Sequence, residues 1–291
     1  MGTSNQANSN ILIGAATDIG GKPEQQDDYL VLPNFLVIDN QIVHLIGIFD
    51  GHGSDGKKAA NEAKALFPTV LSSLKDTIKK DPLQALKNSF TIVNDNMKQN
   101  QAIDTYLSGT TAVISLIIDN NLHVAHVGDS RLALYKENDT KLSGRLLTID
   151  HNCDSPEERK RVEAAGGRVE QLWLDGKFDG PLRIFKGTLP YPGIIVTRTL
   201  GDGAAQTIGV LPDPDVQTVK LSPEDKYLVF GTDGLWDGLS VDQVGKVIMK
   251  GGNPIEIANK MLRYGLDGLN KKHIDDNITL IVCRLSGGIL A

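Results

Sequence analysis

Short apolar, β-branched runs recur along the chain, each closed by Gly, Asp or Asn: 44–49, 110–118, 122–127, 131–135, 194–197, 227–231 and 277–284. Runs of this length, punctuated by turn residues, predict strands. Close pairs predict antiparallel hairpins, as where 110–118 is followed by Asp119-Asn120-Asn121 and then 122–127. Over 57–80 the spacing is helical instead, with Ala63, Leu66, Phe67, Val70, Leu71, Leu74 and Ile78 on one stripe. Pro68 lies inside that stretch and, lacking a backbone N–H, should kink or split it. Asp81-Pro82 predicts the start of a second helix, with the aspartate as N-cap. Two more short helices are expected over 240–250 and 254–264. The stretch 166–191 has weak periodicity and many Gly and Pro, and reads as an irregular, flap-like excursion.

The order of these elements lacks a regular βαβ alternation, which argues against a doubly wound parallel sheet. Sheet packed on sheet with helices outside is the expected α+β arrangement. No low-complexity linker divides the chain, so 11–285 reads as one domain. The polar residues 1–10 read as a disordered terminus and 286–291 as a tail.

Composition narrows the class. In 291 residues, 40% are hydrophobic and 23% charged, the balance of an ordinary soluble protein with a sizeable core. Thirty glycines argue against an all-helical bundle. A formal net charge of −6 opposes nonspecific binding to nucleic acid or to an anionic membrane surface. No apolar run approaches the roughly 18 residues of a membrane span. Met1-Gly2 is followed by Gln6, not the Ser or Thr of a myristoylation start. The two cysteines, Cys153 and Cys283, stand in unlike contexts and read as free thiols of a reducing compartment. The expected location is therefore cytoplasmic, with the nucleus as the alternative, and the default state is a monomer.

The chemistry lies in aspartates at the ends of apolar strands. The run 44–49 leads into Asp50-Gly51-His52-Gly53, and 227–232 leads into Asp233-Gly234-Leu235-Trp236-Asp237. Asp276-Asn277 opens the last run, Asp27-Asp28 precede Tyr29-Leu30-Val31-Leu32, and Val127-Gly128-Asp129 closes another. Any single Asp-Gly is most simply a turn. Carboxylates leaving several buried strands are costly unless paired or holding a metal, and no run of Lys or Arg accompanies them. Clustered oxygens without counter-cations point to a hard divalent ion, magnesium or manganese, whereas zinc would want His or Cys. His123 and His126, three apart on a strand, face opposite sides and cannot share a metal.

At these residues the chain resembles the metal-dependent type 2C Ser/Thr protein phosphatases. Their motifs recur here in order: Gln26-Asp27-Asp28, Phe49-Asp50-Gly51-His52-Gly53, Ser108-Gly109-Thr110-Thr111-Ala112, Val127-Gly128-Asp129-Ser130-Arg131 and Thr148-Ile149-Asp150-His151. Ala165-Gly166-Gly167, Thr197-Arg198-Thr199-Leu200-Gly201-Asp202, Thr232-Asp233-Gly234-Leu235-Trp236-Asp237 and Asp276-Asn277 complete the series. The resemblance implies a central sandwich of two antiparallel β-sheets flanked by helix pairs, in four layers. It implies hydrolysis of phosphoserine and phosphothreonine in proteins by a water activated between two Mg2+ or Mn2+ ions, without a phosphoenzyme. In that scheme Asp50 bridges the ions, the Gly51 carbonyl binds one, and Asp233, Asp276, Asp27 and Asp28 complete the set. His52 takes the place of the proton donor to the leaving oxygen, and Asp129 and Asp237 are candidates for a third ion.

One departure stands out. Many members carry a phosphate-gripping arginine four residues before the first acid, and counting back from Asp27 gives Pro23. Lys22, next to it, is a candidate phosphate ligand, as are Arg183 and Lys186 in the excursion. This departure raises the alternative of a scaffold that keeps the fold without catalysis; a phosphoesterase acting on small molecules is a separate alternative.

Overall fold

The computed structural model describes residues 11–138 and 141–285. The expectations of disorder in 1–10 and of a tail over 286–291 lie outside the described residues. In chain order, β1 (Leu12–Asp18) precedes a hairpin of β2 (Asp27–Ile38) and β3 (Gln41–His52), turned at Asp39 and Asn40. Three helices follow: α1 (Gly56–Ser73), α2 (Lys75–Lys80) and α3 (Pro82–Gln99). The chain returns through β4 (Gly109–Thr110), β5 (Ala112–Ile118), β6 (Asn121–Val127), β7 (Arg131–Asn138) and β8 (Lys141–Leu146). Next come α4 (Pro156–Ala164), β9 (Gly167–Leu174), β10 (Lys177–Lys186), β11 (Pro192–Ile194), β12 (Leu200–Gly201) and α5 (Gly203–Gln206). The last part holds β13 (Asp215–Lys220), β14 (Asp225–Gly231), α6 (Asp233–Gly238), α7 (Val241–Met249), α8 (Pro254–Lys272) and β15 (Ile278–Arg284).

These strands build a five-stranded sheet, β1-β15-β14-β7-β8, and a seven-stranded sheet, β12-β4-β3-β5-β6-β13 with β2 on β3. Strand alternation divides their side chains between two cores. Val43, Leu45 and Phe49 of β3 pack with Phe67, Leu71 and Phe90 of α1 and α3. Ile46 and Ile48, one step out of phase, face Leu132, Leu228, Phe230 and Ile281 of the other sheet. A third core joins the five-stranded sheet to Leu235, Val244, Ile257 and Met261 of α6–α8. The result is the expected four-layer sandwich, and it places the ends of β3, β14 and β15 at one edge.

Local signals set the helix ends. Asp81 accepts from Gln84 N–H at 3.0 Å and starts α3, while Ser240 and Asn253 close capping boxes on α7 and α8. Three expectations need correction. Pro68 does not split its helix: α1 runs through it to Ser73 and breaks at Leu74, because Phe67, Val70 and Leu71 bind that turn to the sheet. The segment 166–191 is largely a hairpin, β9 on β10, with a register shift between Asp179 and Leu182, and β11 pairs beside it. Its alternation is faint because only Ile184 and Phe185 of β10 are buried, leaving no continuous inner face to impose it. The run 194–197 is strand only to Ile194, with a lone bridge from Val196 to Asn152.

Candidate metal centre

Strand register gathers the carboxylates. β2 and β3 pair so that Asp27 stands opposite Asp50. Asp233 opens α6 directly after β14, and Asp276 precedes β15 beside it. Asp129 sits in the turn between β6 and β7, which requires Gly128 at φ +89°. Carboxylate oxygens of Asp50, Asp129 and Asp233 all lie within 4.8 Å of one another. Gly51 allows this edge to close: a Cβ there would stand 2.2 Å from the Gly56 carbonyl and 2.6 Å from that of Gln26.

Hydrogen bonds hold the group in place. Thr232 Oγ1 donates to Asp27 Oδ2 at 2.9 Å, and Thr111 Oγ1 receives the Asp50 N–H at 3.2 Å. Asn277 ties the segment before β2 to the sheet: its Oδ1 accepts from Gln26 N–H, and its Nδ2 donates to the Ile19 and Glu24 carbonyls. Trp236 packs inward and donates from Nε1 to the Gly231 carbonyl at 3.0 Å.

The electrostatics are strained. Burial pushes Asp27 up to about 7, with the Thr232 and Thr279 hydroxyls opposing and the Asp276 charge adding to the rise. Burial, then Asp150, lifts Asp129 to about 6. Asp50 and Asp233 are raised well above the usual carboxylate range, first by burial, then Asp50 by the Asp233 charge and Asp233 by the Asp129 and Asp276 charges, with a hydrogen bond to Asp50 opposing the rise of Asp233. Among the described residues the one ion pair to these five carboxylates is Lys22 Nζ to Asp276 Oδ1, at 3.2 Å. An all-oxygen donor set with so little cationic compensation fits hard divalent ions.

Asp28 does not join the group. It follows Asp27 on the same strand, so the pleat turns it to the opposite face, where Lys64 Nζ binds its Oδ1 at 2.7 Å. Asp129 belongs with Asp50 and Asp233, whereas Asp237 lies one turn along α6, under the influence of Arg131 and Lys272. Lys22, next to the uncharged Pro23, reaches the cluster through its ion pair with Asp276. Arg183 also reaches the site: a cavity of about 290 Å3 is lined by Asp50, His52, Asp129, Asp202 and Asp233 on one side and by Arg183, Gly193 and Ile194 on the other. Lys186 is not among the residues lining it.

His52 Nε2 lies 2.7 Å from Asp202 Oδ2. Burial opposes protonation of this ring, but the Asp202 carboxylate, Asp129 and the Asp50 backbone outweigh it, and the pKa is raised. Asp202 is itself fixed in the left-handed region by its N–H bond to the Ser108 carbonyl and by the Thr199 hydroxyl. The motif that contains Asp202 was visible in the sequence, but its partnership with His52, 150 residues away, was not. Arg198, in the same motif as Asp202, binds Glu158 and Asp215.

A family model described as Protein phosphatase 2C matches residues 20–274. The chain is 31% identical to "Probable protein phosphatase 2C 35" of Arabidopsis thaliana, covering 90% of this chain and 79% of that one. It is 27% identical to "Probable protein phosphatase 2C 72" of the same plant, over 92% and 84%. Among solved structures, the serine-threonine phosphatase 2C of Toxoplasma gondii superposes with a TM-score of 0.81 at 24% identity, covering 94% of each chain. A sex determining protein of C. elegans shares the fold with a TM-score of 0.76 at 20% identity, over 97% of this chain and 68% of that one. No helix among the described residues is long and apolar enough to cross a membrane.

Proposed function

The chain belongs to the protein phosphatase 2C family of metal-dependent serine/threonine protein phosphatases, and on that premise we propose how this site works on phosphoserine and phosphothreonine. The gathering of Asp27, Asp50, Asp129, Asp233 and Asp276 at one edge of the sandwich carries the reading. Asp50 and Asp233, flanked by Asp27 and Asp276, would hold two Mg2+ or Mn2+ ions, with the Gly51 carbonyl on the Asp50 side and Asp129 available to a third. When bound, such ions supply an acidified water and withdraw charge from phosphoryl oxygens.

The chain's own residues do the rest. Arg183 lines the cleft and Lys22 is paired with Asp276; both would orient the phosphate, Lys22 as a point charge and Arg183 as a planar fork. His52 would protonate the leaving serine or threonine oxygen. Asp202, on its Nε2, would hold the ring in place and support its protonated form. The hairpin β9–β10 borders the cleft and would meet the protein substrate.

The test is hydrolysis of p-nitrophenyl phosphate and of a phosphothreonine peptide with Mn2+ or Mg2+, repeated in EDTA. Turnover should need the metal and disappear in folded Asp50→Ala and Asp233→Ala. Persistent activity in either variant overturns the assignment.

A further inference from the structure

A second cluster of metal-ligating side chains lies outside the carboxylate edge. β13 pairs with β6 so that Asp215 stands directly opposite His126, on the same face of the sheet. Between β8 and α4 the chain carries His151 against them, held by its N–H on the Gly128 carbonyl at 3.0 Å and by the Thr197 N–H on its own carbonyl at 2.8 Å. The two imidazoles stack with centroids 4.5 Å apart and planes 10° from parallel. One nitrogen of each ring and one Asp215 oxygen lie within 4.8 Å of one another.

His151 is 3% exposed, yet neither of its ring nitrogens makes a hydrogen bond, although Nε2 is 3.2 Å from Asp215 Oδ2. His151 Nδ1 is thus buried with no partner, a costly state unless something engages it, while Nε2 has the Asp215 carboxylate beside it. The surrounding bonds leave the right atoms free. His126 Nε2 sits 2.9 Å from the Ile149 carbonyl and 3.3 Å from the Ile149 nitrogen. Donation along the shorter contact puts the proton on Nε2 and leaves the lone pair on Nδ1. Arg198 Nη1 binds Asp215 Oδ1 at 2.7 Å, leaving Oδ2 on the histidine side. Such outer bonds, from a ring N–H to a carbonyl and from a guanidinium to a carboxylate, are how metal ligands are commonly oriented. Burial and the second ring also hold His126 down to about 4, so the imidazole is neutral at neutral pH. A cavity of about 330 Å3, lined by His126, Ile149, Asp215 and Gln217, adjoins the cluster, and the half-exposed Asp215 opens it to solvent.

We propose that His126, His151 and Asp215 form a binding site for a borderline-soft transition-metal dication, with Zn2+ as its type ion, separate from the carboxylate centre. Two imidazoles and one carboxylate suit zinc, with a fourth position facing the cavity, whereas the all-oxygen edge suits magnesium or manganese. The chain thus sorts two classes of metal onto two sites. The bound ion would pin β6, β13 and the segment that carries His151.

The test uses the full chain with Asp50→Asn and Asp233→Asn, to silence the carboxylate edge, stripped with EDTA and kept in excess Mg2+. Zn2+ is titrated by calorimetry, and Co2+ by visible absorption. The site should take one equivalent of Zn2+, and Co2+ should develop the intense bands of a four-coordinate ion. Adding His126→Asn should weaken Zn2+ by more than about 100-fold, beyond the loss typical of an outer-shell change, and abolish the cobalt bands. Asp215→Asn serves as the second variant, and melting curves without metal show that each is folded. No Zn2+ uptake by the silenced protein, or one equivalent indifferent to both substitutions, overturns the proposal.

Discussion

Replacing Asp50 with asparagine should stabilise the metal-free protein while abolishing its response to metal. Asp50 has Asp129 and Asp233 within 4.8 Å. At an effective dielectric constant of about 20, each fully ionised pair at that separation costs about 3.5 kcal/mol. The native protein escapes part of this by binding protons, and a carboxyl kept protonated at pH 7 against an unfolded pKa of ~3.9 costs about 4 kcal/mol. With Asp27 raised to about 7 and Asp129 to about 6, several groups share that burden. Removing one acid should therefore return about 2–3 kcal/mol, or roughly 4–6 °C in Tm for a chain of this size. The sign with pH follows from the raised folded pKa values. The metal-free native state holds protons that the unfolded chain releases above about pH 4, so stability falls as pH rises from about 4 to 7. Asp50→Asn should flatten that decline. Manganese at 100 times its Kd should return about 2.7 kcal/mol to the wild type and far less to the variant. Melts in EDTA at pH 5, 6 and 7, and with Mn2+ at pH 7, measure each quantity. A variant that melts at or below wild type in EDTA at pH 7, or a difference that does not shrink at pH 5, would refute the idea that this edge stores like-charge repulsion.

Asp202→Asn removes the charge that supports the protonated form of His52, so turnover of a phosphoserine peptide should drop by about 10- to 100-fold. Turnover of an aryl phosphate, whose phenolate leaves unaided, should fall much less, and equal losses would remove His52 from the acid role. Glu158→Gln should cost about 3 kcal/mol in urea unfolding, because Arg161, Arg198 and the Thr197 hydroxyl all converge on that buried carboxylate. Burial opposes ionisation of Glu158, but these partners hold its pKa down to about 2; its contribution to stability is therefore present above pH ~4.3 and lost as pH falls toward 2. A variant with wild-type acid stability would count against that network.

Local rules along the chain decided a good part of this protein. Short apolar, β-branched runs and turn residues marked β3, β5, β6, β7, β14 and β15, and Asp81 and Pro82 marked the start of α3, because each depends only on residues a few positions apart. The aspartates at strand ends and the ordered motifs named the family and the chemistry of its metal edge. Where local pattern failed, packing or its absence was the cause. Pro68 is carried through α1 by the core around Phe67, and the hairpin β9–β10 is nearly patternless because most of it faces solvent.

Which acids act together was a question of tertiary structure. Asp27 and Asp28 are equivalent in the sequence, but the pleat sends one to the cluster and the other to Lys64. Asp129 joins Asp50 and Asp233 only because the β6–β7 turn and the end of β3 reach the same edge. The histidines show the same division. Spacing on one strand correctly keeps His123 from His126, for His123 bonds Thr218 and His126 stacks on His151. No local rule could bring His126, His151 and Asp215 together. Strand spacing says which face a side chain takes, whereas its neighbours on that face come from sheet pairings between segments that lie tens of residues apart.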